Sequence, residues 1–252
     1  MKSIVFVAIV LFVFAIITEL MNVNTELFYW FNQAAGVLPD WIWSNLTFTA
    51  DTLFVVAAML IIASRKPELF NSGFVLLIIG AVFVQGFKFY LDIPRPAGVL
   101  DRESFNIIGL TVTSRSFPSG HSFTAMALAG LLMLHSRHLM LTGLLLVFGL
   151  LGAISRVAVG AHWPLDVFVG SAFGLLFAIF AQYLTNQVAW LQGYRLQYTA
   201  AFLMTLTSAY LIFHNSGYPN TQPICIITGS LGVLFAISYW LQVMRAERSS
   251  AQ

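Results

Sequence analysis

Charge is what this chain has least of. Only 9% of its 252 residues are Asp, Glu, Lys or Arg, against about 25% in an ordinary soluble domain. With 59% apolar residues and a mean hydropathy of +0.84, that scarcity excludes a water-soluble globule, a disordered chain and a nucleic-acid binder with a basic face. A single cysteine, Cys225, excludes an intramolecular disulfide framework. The net formal charge of +2 is too small to define a partner. No repeat, low-complexity tract or soluble domain breaks the chain.

What is abundant is long apolar sequence. A run of about 18 or more apolar residues reads as a transmembrane helix, because the hydrocarbon core is about 30 Å thick. Eight such runs are present, over 3–20, 46–63, 69–91, 122–134, 138–155, 165–184, 198–213 and 224–243. The fourth is short and is read as extending back towards Pro118. The fold expected is all-α, a polytopic membrane helix bundle. The first run follows Lys2 and resembles a signal peptide, but Thr18-Glu19-Leu20-Met21 offers no small-x-small cleavage site, so it is read as a retained anchor. Residues 1–45 then form an N-terminal span with an aromatic segment, 46–184 a core, and 185–252 two further spans with a short tail.

Basic residues set the orientation. With the N-terminus inside and eight crossings, Lys2, Arg65, Lys66, Arg137, Arg195, Arg245 and Arg248 are inside, seven of the 12. The other five, Lys88, Arg95, Arg102, Arg115 and Arg156, need a functional reason to lie outside. Segment 22–45 is also outside and carries Phe28, Tyr29, Trp30, Phe31, Trp41 and Trp43. Such rings favour the headgroup region, so an aromatic belt with an interfacial helix over 26–35 is expected, with a lipid-receiving lip as the lesser reading.

Four ends of the apolar runs carry unusual polar residues. Lys88 closes the third, and Arg95 follows Pro94. Pro118-Ser119-Gly120-His121 opens the fourth, and Ser155-Arg156 closes the fifth. His162 and Asp166 bracket the start of the sixth around Pro164. Runs three and five point outward, while four and six point inward, so parity puts all four clusters on one face. Ser119 suits a helix N-cap, and Gly120 lets backbone N–H groups approach an anion that the helix dipole also favours. Pro164 suits a first helical turn. Four residues make about one turn, so Asp166 can reach the His162 imidazole and fix its tautomer. Lys88, Arg95 and Arg156 repel one another and are costly near lipid, and an anion offsets both penalties. Arginine's planar fork matches phosphate oxygens. Phosphoryl transfer needs this set of charge stabilisers, nucleophile and acid.

A metal is not expected. The acids assigned to that face, Glu26, Asp40, Asp92, Asp101, Glu103, Asp166 and Asp51, form no D-x-D pattern suited to magnesium. His121 and His162 are potential zinc ligands, but three cations beside them oppose Zn²⁺. Asp51, an acid within an apolar run, is a lesser functional candidate. Arg102 and Arg115 are read equally as headgroup contacts or solvated loop charges. His135, His138 and His214 are read as surface or interface residues.

Lys88-x₆-Arg95-Pro96, then Pro118-Ser119-Gly120-His121, then Ser155-Arg156-x₅-His162-x₃-Asp166 resembles the three-part signature of the type-2 phosphatidic acid phosphatase family. All three parts are complete and in order, and the resemblance covers about 46–184. It implies a six-helix core with a non-cytoplasmic site and no metal or other cofactor. It implies His162 as nucleophile forming a phosphohistidine, Asp166 orienting it, and His121 as general acid. It implies Lys88, Arg95, Ser119, Gly120 and Arg156 as the phosphate holders. The last two runs exceed the usual six.

The expected function is therefore an integral membrane lipid phosphatase. The expected setting is a bacterial inner membrane, with the site facing outward and both termini cytoplasmic. Its partners are the bilayer and a lipid phosphate or diphosphate, first undecaprenyl diphosphate. Phosphatidylglycerol phosphate, phosphatidic acid and lipid A phosphates are further candidates. A bell-shaped pH profile is expected from an acid His121 and a neutral His162. Rival readings are a lipid phosphotransferase, which the sequence does not separate, and a vanadate-dependent haloperoxidase, which eight spans oppose. A non-catalytic lipid-phosphate transporter or binding protein is opposed by polar residues at helix ends rather than mid-membrane.

Overall fold

A computed structural model describes residues 1–250, and every regular element among them is helical. In chain order these are α1 (Lys2–Leu20), α2 (Asn24–Ala35), α3 (Asp40–Thr49), α4 (Thr52–Ala63), α5 (Phe70–Leu91) and α6 (Pro96–Val99). They continue as α7 (Gly120–Leu134), α8 (Leu139–Ala158), α9 (Pro164–Gln187), α10 (Tyr194–Phe213) and α11 (Gln222–Ser250). Six stretches, built on α1, α5, α8, α9, α10 and α11, are long and apolar enough to cross a bilayer alone.

Two of the eight expected spans differ from continuous membrane-length helices. The second is broken: α3 and α4 meet at 62°. Asp51 adopts an extended backbone (φ −69°, ψ 143°) and its Oδ1 accepts the Leu53 N–H at 2.7 Å. That contact caps a new helix in the middle of the run. The fourth, α7, extends back from 122 towards Pro118 as far as Gly120, with Ser119 as its N-cap, and has 15 residues. At 1.5 Å per residue it is about 22 Å long, short of the hydrocarbon core. It is nonetheless apolar because it lies inside the bundle, between α5, α8 and α9, with Met126 and Leu131 fully buried.

Small residues set how tightly this centre packs. A Cβ on Gly170 of α9 would lie 2.5 Å from the Ser119 carbonyl oxygen, and one on Gly174 would lie 2.4 Å from that of Phe123. Only glycine lets α9 rest on the backbone at the start of α7. The Ser119 N–H donates to the Asp166 carbonyl at 3.1 Å, locking the two helix starts together. α1 packs along α9, with Ile4, Ala8 and Leu11 in the same apolar cluster as Ala172 and Leu175.

The aromatic segment divides between two roles. Trp30 and Trp41 are exposed, as a belt requires. Phe28 and Trp43 are buried instead: Phe28 packs edge-on against Phe105 and Trp163, and Trp43 Nε1 donates to the Ala35 carbonyl. The last two helices form a hairpin against α4. Gly229 and Gly232 allow α11 to approach Ser208 of α10, Tyr239 stacks on Phe70 at 4.3 Å, and Gln242 donates to the Ser64 carbonyl.

Candidate active site

The four polar clusters converge on one cleft of about 670 Å³, lined by Lys88, Arg95, Gly120, His121, Arg156 and His162. Each side chain is held from behind. Lys88 Nζ, near the end of α5, donates to the Arg115 and Ser116 carbonyls at 2.6 and 3.2 Å. Arg95 Nε and Nη1 donate to the Ser114 and Ala161 carbonyls at 2.9 and 3.1 Å. Loop carbonyls therefore fix both cations before any ligand arrives. Arg156 is 3% exposed; its Nη1 donates to Thr47 Oγ1 at 2.5 Å and to the Tyr218 hydroxyl at 2.7 Å. Its Nε is buried and has no hydrogen-bond partner among the described residues. A buried guanidinium N–H left unpaired is costly, and a phosphate oxygen is the acceptor whose geometry it fits.

His162 sits just ahead of α9, after a turn in which Gly160 takes a positive φ of 74°. Pro164 occupies the first turn of α9 and Asp166 lies within it. His162 Nδ1 lies 3.1 Å from Asp166 Oδ2, and the Trp163 N–H donates to that oxygen at 3.0 Å. The Ser116 hydroxyl donates to it as well. These three contacts fix the carboxylate, which in turn fixes the ring and leaves Nε2 as its free nitrogen. Burial, then the charges of Arg95, Arg156 and Lys88, hold the His162 imidazole well below its ordinary titration range. It is thus a neutral ring at pH 7.

His121 opens α7 across the cleft. Its Nε2 lies 3.4 Å from Asp51 Oδ2, both groups being about a quarter exposed. The break between α3 and α4 is what delivers this carboxylate, since Asp51 Oδ1 caps α4 while Oδ2 faces the imidazole. Ser119 is the one expected phosphate holder whose side chain turns away. It is fully buried, and its Oγ accepts from the Ser122 N–H and hydroxyl at 3.3 and 2.8 Å, capping α7. Arg115 lies on the rim, 3.9 Å from Asp92, while Arg102 is outside the cleft and donates to the Ala97 carbonyl. His135, His138 and His214 do not line it. Among the described residues no three His, Cys, Asp or Glu side chains come together as a metal site would require.

Sequence reasoning missed Thr47, Ser116 and Tyr218. Ser116 stands two residues ahead of Pro118, a faint signal; Thr47 and Tyr218 carry none. Asp51 gave a partial signal, an acid within an apolar run.

Buried cations around two imidazoles, set in a bundle of membrane-length helices, define a membrane phosphatase acting on lipid phosphates. Residues 69–190 match the model of the PAP2 superfamily, in line with the resemblance of the three-part signature. Among solved structures it is similar to LpxE of Aquifex aeolicus, with 28% identity and a TM-score of 0.59, covering 64% of this chain and 95% of the other. It also shares the fold of a transmembrane PAP2-type phosphatidylglycerolphosphate phosphatase of Bacillus subtilis, with 21% identity, a TM-score of 0.55, and coverage of 72% and 96%. No curated protein matches the chain at a significant level.

Proposed function

We propose that this lipid phosphatase takes undecaprenyl diphosphate as its first substrate and releases undecaprenyl phosphate and orthophosphate. The observation that carries this reading is a continuity of two spaces. Below the cationic cleft lies an apolar groove of about 110 Å³ between α4, α5 and α7, lined by Val55, Met59, Leu76 and Leu131. Thr52, Val84, Gln85 and Gly120 line both. A headgroup in the cleft therefore has its tail directed into the membrane interior, and about 670 Å³ leaves room for two phosphoryl groups.

In this reading His162 Nε2 attacks the terminal phosphorus in line, forming the N–P bond as the bond to the bridging oxygen breaks. His121 gives that oxygen its proton. Water then attacks the phosphohistidine while His121 takes a proton from it, freeing orthophosphate and restoring both rings. Arg156 Nε, the remaining hydrogens of Lys88 and Arg95, and the Gly120 backbone at the start of α7 carry the charge on the equatorial oxygens. Asp166 steadies His162, and Asp51 serves His121 in the same way. The step draws on no metal. The site faces the outside of a bacterial inner membrane, with the termini in the cytoplasm, by the distribution of basic residues.

The test is phosphate release by detergent-purified protein with EDTA present, from undecaprenyl diphosphate, phosphatidylglycerol phosphate, phosphatidic acid and lipid A phosphates. The diphosphate should give the highest kcat/KM, EDTA should leave it unchanged, and His162→Ala should abolish release. Preference for another lipid overturns the substrate, activity in His162→Ala overturns the mechanism, and zinc-restored activity after EDTA overturns metal independence.

A further inference from the structure

The hairpin of α10 and α11 lies beyond the six-helix core that the family resemblance implies, and over a third of this chain is outside the superposition on LpxE. Its connecting loop reaches the cleft. Ser216 and Tyr218 line it together with Lys88 and Arg115. The loop is built to hold a shape: Gly217 N–H donates to Asn215 Oδ1, Tyr218 N–H to Ser216 Oγ, and Thr221 Oγ1 to the Tyr218 carbonyl. Gly217 and Asn220 take positive φ values of 76° and 59°. The loop packs so closely on Gly109 and Leu110 that a Cβ on Gly109 would lie 2.6 Å from the Tyr218 ring.

Tyr218 does more than fill space. Its hydroxyl accepts from Arg156 Nη1 at 2.7 Å, and its ring lies 5.6 Å from the guanidinium carbon. Thr47 holds the same nitrogen from α3. Two acceptors on Nη1 fix the plane of the guanidinium, and the unpartnered Nε is what that plane presents. A tyrosine hydroxyl has one hydrogen of its own. With its oxygen already accepting from Arg156, that hydrogen is free for an anionic oxygen beside the guanidinium.

We propose that the C-terminal hairpin completes the oxyanion site: Tyr218 orients Arg156 and donates its own O–H to a phosphoryl oxygen of the substrate. The core alone would present an arginine held on one side only. The hairpin's packing on α4 and α5, through Tyr239 on Phe70 and Gln242 on Ser64, keeps the loop at the cleft. This deepens the phosphatase reading but does not depend on turnover, since any tetrahedral or trigonal-bipyramidal oxyanion should use the same contacts.

Tyr218→Phe separates the roles, because phenylalanine keeps the ring over Arg156 and the packing on Gly109 while removing only the hydroxyl. The probe is orthovanadate, its binding to the full-length protein in detergent read by calorimetry. A hydrogen bond to a charged group supports a loss of about tenfold or more in vanadate affinity. A similar loss in kcat/KM should appear mainly in KM, with the thermal unfolding midpoint unchanged. Arg156→Lys in the Tyr218→Phe background should cost little more than Arg156→Lys alone, because the two residues act together. Vanadate affinity within twofold of the native protein, or independent losses in the double variant, overturns the proposal. A native protein that binds vanadate through Tyr218 yet cleaves no lipid phosphate would overturn the enzymatic reading and leave this one standing.

Discussion

Two imidazoles, each paired with a carboxylate, line one cationic cleft, and the proposed mechanism gives the two carboxylates different work. Asp166 is deeply buried behind His162, where it selects the tautomer of a ring that burial and cations keep neutral. In the proposed mechanism His121 carries a proton that burial and the nearby Arg156 disfavour, and the Asp51 carboxylate 3.4 Å away opposes them. Asp51→Asn isolates that function, because the amide oxygen still accepts the Leu53 N–H that caps α4. General acid catalysis supplies about 10²–10⁴-fold. The variant should lose at least tenfold in kcat, and the alkaline limb of its pH profile should move to lower pH as His121 gives up its proton more readily. The acid limb, set by protonation of His162, should stay in place and lie below the ordinary imidazole range of about 6.5, since the folded ring resists protonation. A profile measured from pH 4.5 to 9 checks both limbs; an unmoved alkaline limb would mean that Asp51 is only a cap. The signature residues were legible because spacing and residue type alone bring Lys88, Arg95, His121, Arg156, His162 and Asp166 to helix ends. Thr47 and Tyr218 were not. Each is an ordinary polar residue 109 and 62 positions from the arginine it holds, and no local pattern encodes such a contact.

At the scale of elements, hydropathy gives the number of apolar segments but not their continuity. Residues 46–63 read as one run because α3 and α4 are both apolar, and the only mark of the break is an aspartate followed by Thr52 in mid-run. That is an N-cap signal which apolar flanks conceal. The shortness of α7 is legible in the sequence; its place inside the bundle is not, and a helix buried in protein need not match the bilayer. Its position depends on α9 lying almost on its backbone. Gly170→Ala should therefore act on the site rather than merely loosen the fold. A Cβ 2.5 Å from the Ser119 carbonyl must push apart the starts of α7 and α9, which carry Gly120, His121 and Asp166. Overpacking of this kind costs about 1–3 kcal/mol. The unfolding midpoint should fall and kcat/KM should drop at least tenfold. Gly143→Ala, with nothing within 4 Å of the added carbon, serves as the control and should change neither. Native activity in Gly170→Ala would show that the two helix starts tolerate separation.

At the scale of the whole molecule, the clusters at the ends of four helices meet in one cleft, which is what alternating crossings demand. That convergence fixes the clusters relative to one another, whereas the side they face follows from where lysine and arginine lie. Arg65, Lys66, Arg137, Arg195, Arg245 and Arg248 belong to the connections and tail assigned to the opposite end, where none lines the cleft. Cysteine labelling in intact cells tests the orientation directly, because the native Cys225 is fully buried and contributes little background. Glu103 is exposed on the loop that leads to the rim of the cleft, and Ser249 is exposed near the end of α11. A membrane-impermeant maleimide should modify Glu103→Cys from outside. It should reach Ser249→Cys only after permeabilisation. The reverse pattern would place the cationic cleft in the cytoplasm, where an outer-leaflet diphosphate headgroup never arrives, and the substrate would have to be a lipid phosphate of the inner leaflet.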